Sequence, residues 1–249
     1  MVNEMEKPAR FTFSNGRSAL AVRVRHGEEL PTALHELGLR SGQPNLVLIG
    51  GASKMDVKEL NGIRSLFVEG LVPAIAALDA TVIDGGTDAG IMQLMGQARA
   101  ITGETFPLIG VAVAGKVTTP DRIDHSGKGT FLEPHHTHFV LVPGTHWGDE
   151  SPWLFRVADV LAARAASLTI LVNGGEIAWE DVTQSVKAGH PVLVIGGSGR
   201  TADTIANALH KEATDERTKR LVDSNLLRVV DLTSDFGELT RVVEEMLSV

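Results

Sequence analysis

The sequence predicts one doubly wound α/β domain with a mostly parallel sheet and helices on both faces, and three observations support it. Short apolar runs alternate with helix-length periodic segments almost from end to end. Most of the runs are apolar throughout, as in a strand covered on both faces. Ten of the 26 glycines stand where a run ends. At 249 residues and 43% hydrophobic, the chain can bury a full core.

The strands expected, in order, are Ala19–Val24, Leu46–Ile49, Thr81–Asp84, Leu108–Val113, Phe139–Val142, Leu168–Val172, Pro191–Ile195 and Leu227–Leu232. Helical spacing follows many of them, over Val57–Leu78, Thr87–Ile101, Pro152–Ala166, Ala178–Ala188, Thr201–Lys211 and Phe236–Leu247. Repeated β-then-α order makes neighbouring strands parallel. Residues 1–18 read as an N-terminal appendage and 19–249 as the domain. Lys116–Thr130, rich in Gly, Thr and charge, reads as a long surface loop whose composition permits a lid. There is no fixed-period repeat and no low-complexity tract.

The net charge of −8 is spread over the chain without a basic stripe, which argues against a nucleic-acid partner. Cysteine is absent, which excludes disulfides, thiolate chemistry and cysteine metal sites and points to a reducing compartment, the cytoplasm. "MVNEMEKPAR" lacks the apolar core of a signal peptide, and no apolar run reaches the ~20 residues of a membrane span, so no membrane attachment is expected.

The strand-end glycines are Gly50 and Gly51, Gly85, Gly86 and Gly90, Gly174 and Gly175, and Gly196, Gly197 and Gly199. In an open parallel sheet these ends share one edge, outside which ligands bind. Gly197-Ser198-Gly199-Arg200-Thr201-Ala202 fits G-x-G-x-x-A, but it lies near the C-terminus and the next strand's acid, Asp231, comes too late for a dinucleotide fingerprint. What remains is an anion site: loop amides and a helix N-terminus that favour phosphate, with Arg200 as a bidentate grip. The plainer readings are that Ser198 or Thr201 caps the helix and that Arg200 is solvated or pairs with Asp203.

"VIDGGTDAGIMQLMGQA" repeats the arrangement. Gly85 and Gly86 allow close approach, Thr87 can cap or donate to phosphate, and Asp84 and Asp88 could take ribose hydroxyls. Asp88 equally complements the helix dipole, and Met92 and Met95 read as core. In "LEPHHTHFVLVPGTHWGDE", His136 and His138 could share a strand face, yet no third metal ligand follows at a recognised spacing, so hydrogen-bonded structural histidines are expected and no metal site. Thr145, His146 and Trp147 fall at the ligand edge, where Trp147 either stacks on a base or plugs the sheet end.

"LEPHHTHFVLVPGT", "ILVNGGEIAWEDVTQSVKAGHPVLVIGGSGRTADTIA" and "VIDGGTDAGIMQLMGQA" together resemble the N-terminal cytosolic homology region of the melastatin-type transient receptor potential channels and its free-standing prokaryotic relatives in the SLOG superfamily, from about Leu46 to Leu232. The resemblance implies a Rossmann-like sheet and a soluble module that binds or senses a nucleotide ligand such as ADP-ribose. Its pocket wall would comprise Gly85, Gly86 and Thr87, Thr145, Gly174 and Gly175, and Gly197, Ser198, Gly199, Arg200 and Thr201, and the strand-end reading adds Gly50 and Gly51 to the candidate ligand site. The membrane segments of the channels have no counterpart, and a homo-oligomer is compatible with the module. No cofactor is implied beyond that nucleotide.

The chain is more distantly similar to the LOG-type phosphoribohydrolases, which cleave the N-glycosidic bond of nucleoside monophosphates. Their P-G-G-x-G-T-x-x-E motif is incomplete here: Ile195 replaces the proline and the glutamate has no match. Only Asp203 stands near enough to act as a general acid or to stabilise an oxocarbenium-like state. The expectation is therefore a nucleotide sensor, with such a hydrolase as the alternative and an oligomerising module with a vestigial pocket as the third reading.

Overall fold

The computed structural model describes residues 6–52, 55, 57–121, 129–210 and 215–247. Eleven strands are formed among them: β1 (Ala9–Thr12), β2 (Ser18–Arg23), β3 (Asn45–Gly50), β4 (Thr81–Asp84), β5 (Leu108–Val113), β6 (Val117–Thr118), β7 (Thr130–Phe131), β8 (His138–Val142), β9 (Ser167–Val172), β10 (Val192–Gly196) and β11 (Leu227–Asp231). The helices are α1 (Leu30–Glu36), α2 (Val57–Ser65), which runs through a π-helical segment (Leu66–Leu71) into α3 (Val72–Ala77), α4 (Gly90–Thr102), α5 (Ser151–Ala162), α6 (Glu176–Lys187), α7 (Arg200–His210), α8 (Glu216–Asp223) and α9 (Phe236–Leu247).

Nine strands make one sheet in the order β1-β2-β8-β5-β4-β3-β9-β10-β11, parallel throughout except for β1 against β2. All eight expected strands are present. From β3 the chain lays down β4, β5 and β8 to one side, then crosses to place β9, β10 and β11 on the other. The direction of winding therefore reverses between β3 and β9, and the loops leaving these neighbours diverge to opposite faces.

Alternate residues of each strand feed two cores, as the two-residue period of a strand requires. Val47 and Ile49 of β3 join α1, α5, α6 and α7 on one face, while Leu46 and Leu48 join α2, α3, α4 and α9 on the other. Val57–Ala77 is long and apolar enough to cross a membrane by length and composition, contrary to the expectation that no such run exists. Here Phe67, Leu71, Val72 and Ile75 of that helix are buried in the second core.

Within the first 18 residues, Ala9–Thr12 adds β1 to the sheet, and Phe11 and Phe13 pack on Phe139 at ring separations of 6.5 and 6.1 Å. Two helices lie outside the expected set. α1 is short, with Pro31 in its first turn. α8 is charged on most positions and is started by Asp215, whose side chain accepts from the Arg217 and Thr218 amides. Of the segment Lys116–Thr130, residues 122–128 lie outside the described residues, so the lid expectation falls there; Val117 and Thr118 pair in parallel with Thr130 and Phe131.

Candidate functional site

The glycine-rich turns do gather at the C-terminal edge of the sheet, but their amides are not equally free. After β4, Gly86 adopts φ +65° and donates its amide to Asp84 Oδ1 at 2.7 Å. The start of α4 is occupied by the turn after β3: the Ile91 amide donates to the Gly51 carbonyl at 2.9 Å. Gly90 makes that approach possible, since at φ +54° a Cβ would overlap the Gly51 carbonyl oxygen. Thr87 is buried and bridges to Leu132.

Beneath this turn lies a buried ionic chain. His136 is fully buried with Nε2 at 2.8 Å from Asp84 Oδ1 and Nδ1 at 2.8 Å from Glu133 Oε2, so both ring nitrogens donate to carboxylates and the ring is an imidazolium. Burial opposes its charge, but the charge and hydrogen bond of Asp84, joined by those of Glu133, raise it to about 9. Burial pushes the Glu133 carboxyl up, and the hydrogen bonds and charges of His136 and then His135 bring it below the usual range. Gly96 of α4 makes the room, because the Glu133 carboxylate occupies the space a Cβ would fill. His138 takes no part: burial lowers it to about 4, and its Nδ1 faces Thr137 Oγ1 at 2.8 Å. Among the described residues no group of three or more potential ligands could hold a metal ion.

After β10, the Gly197 and Gly199 amides donate to Asp203 Oδ1 at 2.7 and 3.1 Å. The first amides of α7 are also engaged, Ala202 with the Asn173 carbonyl at 2.9 Å and Thr201 with that of Gly174 at 3.5 Å. Ser198 is buried and ties this loop to the turn after β9: its Oγ accepts from the Asn173 amide, and the Asn173 side-chain amide donates to its carbonyl, both at 2.8 Å. The donors expected to hold an anion on Gly197–Thr201 are thus largely taken within the protein. Asp203, the one acid available for catalysis there, is the acceptor that closes the loop.

After β8, the Thr145 and His146 amides donate to Asp149 Oδ2 at 2.7 and 2.9 Å, and these bonds hold the Asp149 carboxyl below its ordinary range. Trp147 is 41% exposed, as is Ile177 in the first turn of α6, and Gly148 backs onto Ile177. Trp147 therefore does not plug the sheet end.

The turn after β9 differs from the others. Gly175 is the N-cap of α6 and supplies no side chain, and among the described residues nothing accepts from the first-turn amides of Glu176, Ile177 and Ala178. Arg200 reaches this point from the start of α7: a Cβ on Gly175 would stand 3.1 Å from its guanidinium. Its backbone is left-handed at φ +52°, costly for a bulky residue, and among the described residues its side chain makes no hydrogen bond or ion pair. Thr201 Oγ1 donates to the Gly175 carbonyl at 3.0 Å and fixes the two turns together. Gly174, Gly175, Arg200 and Thr201 are thus brought together beside the point where the winding reverses, with Gly50 and Gly51 on the adjacent strand end. Gly85, Gly86 and Thr87 lie one strand further away, and Thr145 leads a loop that leans in from β8.

Asn173 was not foreseen from the sequence. It is fully buried and left-handed at φ +59°, and it holds both glycine turns; the dipeptide Asn-Gly at a strand end is the signal that could have found it. A cavity of about 540 Å³ opens at the opposite edge of the sheet, where Asp159, His190, Asn225 and Arg228 line it. It shares no residue with the turns described above.

The fold is that of a doubly wound α/β domain, and at its switch point stand an open helix N-terminus and an arginine that is unpaired among the described residues. The family described as "SLOG in TRPM, prokaryote" matches residues 43–240, and the chain belongs to that family. It is 28% identical to mouse transient receptor potential cation channel subfamily M member 2 over 201 residues, 66% of this chain and 13% of the relative. It is also 28% identical to the subfamily M member-like 2 protein of Nematostella vectensis over 240 residues, 81% of this chain and 15% of the relative. The chain thus corresponds to a small part of these relatives. Among solved structures, the X-ray structure of the structural-genomics target TM1055 superposes with a TM-score of 0.57 at 18% identity, over 82% of this chain and 99% of the other, a likeness of fold.

Proposed function

We propose that the protein is a cytoplasmic module that binds a nucleotide phosphate of the ADP-ribose type. The observation that supports this reading is the first turn of α6, whose amides are open while Arg200, strained and unpaired among the described residues, lies over its N-cap Gly175. A phosphate placed there would receive backbone N–H donors, the positive end of the helix dipole and a guanidinium. Trp147 and Ile177 offer an exposed apolar surface beside it for the base. The binding reading requires no chemistry from Asp203.

Thermal unfolding in the presence of ADP-ribose, AMP and NAD tests this. A ligand at ~100 times its dissociation constant adds about 2.7 kcal/mol of stability. At the same ligand concentration Arg200→Ala should cut the shift to about half or less without unfolding the protein. Absence of both a shift and calorimetric heat for the whole set would end the proposal, and recovery of cleaved nucleotide would turn it into an N-glycosidase.

A further inference from the structure

Where α5 meets α6, one carboxylate is buried without a cation. Asp181, in the second turn of α6, is 6% exposed, and its Oδ1 has no hydrogen-bond partner. Ser151, the first residue of α5, is fully buried, and its Oγ is likewise without a partner. These are two of the four such side-chain atoms among the described residues, and they belong to neighbouring groups: the Ser151 hydroxyl is close enough to act on the Asp181 carboxyl, yet no hydrogen bond is closed between them.

The other ionisable groups facing Asp181 are acids. Glu150 and Glu180 both bear on it, and Glu150 accepts from the Gly148 amide at 2.9 Å. Elsewhere on the packed elements, Arg156 of α5 lies over the Trp153 ring and Asp159 is bonded to His190. On α7, Arg200 stands over Gly175 and Asp203 is held by its loop amides. The strands β3, β9 and β10 carry no ionisable residue.

An ionised Asp181 would be a buried charge with no counterion, which the fold can relieve by taking up a proton or by parting α6 from α5. Burial, helped by the charges of Glu150 and Glu180 and opposed by the nearby Ser151 hydroxyl, brings the Asp181 carboxyl to about 7. Burial also raises Glu150. Both elements that would part lead to the ligand edge. Asp181 is less than two turns from the open end of α6, and Glu150 holds the loop that carries Trp147.

We propose that Asp181 is a proton-operated latch: protonated, it seats α6 on the Glu150–Ser151 start of α5; ionised, it loosens the first turns of α6 and the Thr145–Gly148 loop. The latch rests on the orphaned oxygens and the all-acid surroundings. Its consequence, weaker nucleotide binding at alkaline pH, rests on the function proposed above.

Hydrogen exchange of the full chain without ligand reads the latch directly, in peptides covering residues 143–151 and 174–182. After correction for intrinsic rates, protection in the wild type should fall ~10-fold between about pH 6 and about pH 8. Asp181→Asn should keep the acid-side protection at both. Glu150→Gln, which removes one like charge, should retain the fall but move its midpoint to lower pH. Protection that stays flat in the wild type, or falls equally in Asp181→Asn, overturns the latch. So does restoration at the higher pH by millimolar Mg²⁺, Ca²⁺ or K⁺ in the wild type alone, which would assign the gap to a cation. ADP-ribose affinity across the same range is a separate readout: a working latch with pH-independent affinity would leave the latch standing and sink its link to the site.

Discussion

The turns after β4 and β9 begin alike, an apolar strand running into paired glycines and then a helix, and they end differently. At β4, Asp84 takes the Gly86 amide, His136 locks Asp84 to Glu133, and the Gly51 carbonyl fills the end of α4. At β9, the first turn of α6 is left open and Arg200 stands over it without an intramolecular bond among the described residues. Glycine motifs of this kind encode a tight turn with close backbone approach. Whether they also hold a ligand depends on which side chain or carbonyl reaches their amides first. Asp84, Asp149 and Asp203 each close a turn in this way.

The sharpest way to break the comparison is to remove His136. His136→Ala leaves two buried carboxylates facing each other, and breaking such a pair costs ~3–5 kcal/mol. Urea denaturation should show that loss, and the turn after β4 should lose exchange protection while the first turn of α6 does not. A loss below ~1 kcal/mol would mean that the chain contributes little to closing the turn.

The same group makes a pH prediction. His136 is raised in the folded protein from its usual 6.5 to about 9, so its stabilising contribution is fully present below pH 6.5 and disappears as pH rises through about 9. The difference corresponds to roughly 3 kcal/mol. Denaturation midpoints measured from neutral to alkaline pH should fall in the wild type and be flatter in His136→Ala.

Much of the fold was legible because a strand buried on both faces is a continuous apolar run, as in "LVLI" of β3 or "VLVI" of β10. β1 was missed because ARFT, at the sheet edge, buries only Phe11 of its four residues. α8 was missed because ERTKRLVD buries only Thr218 and Leu221. The glycine turns of the candidate site were legible as residues, but not their occupancy. His136 and Asp84 are 52 positions apart, and nothing local marks them as partners. Asp203, six residues beyond Gly197, closes its own turn at short range, yet the pattern of an acid after a glycine turn is equally that of a catalytic group.

Gly96→Ala probes the closed turn from the other side. In an ordinary helix interior the change would gain ~1 kcal/mol. Here the new methyl would meet the Glu133 carboxylate, so a net loss of ~1–3 kcal/mol is expected. A stabilised Gly96→Ala would show that Glu133 can withdraw without cost.

Arg200→Gly sharpens the comparison at the open turn with the smallest effect on stability. Arg200 adopts φ +52° at the first residue of α7, a conformation glycine takes freely. If nothing within the protein compensates the strain, Arg200→Gly should raise stability by up to ~1 kcal/mol, because release of the left-handed strain exceeds the greater chain entropy of unfolded glycine. In the same variant nucleotide affinity should fall at least ~10-fold, as removal of a charged hydrogen-bonding partner of an anion does. Stability and binding would then move in opposite directions, as they do when strain is retained for a ligand. A loss of stability would instead place the Arg200 side chain among the contacts that hold α6 to α7, and the open end of α6 would have to hold its anion without it.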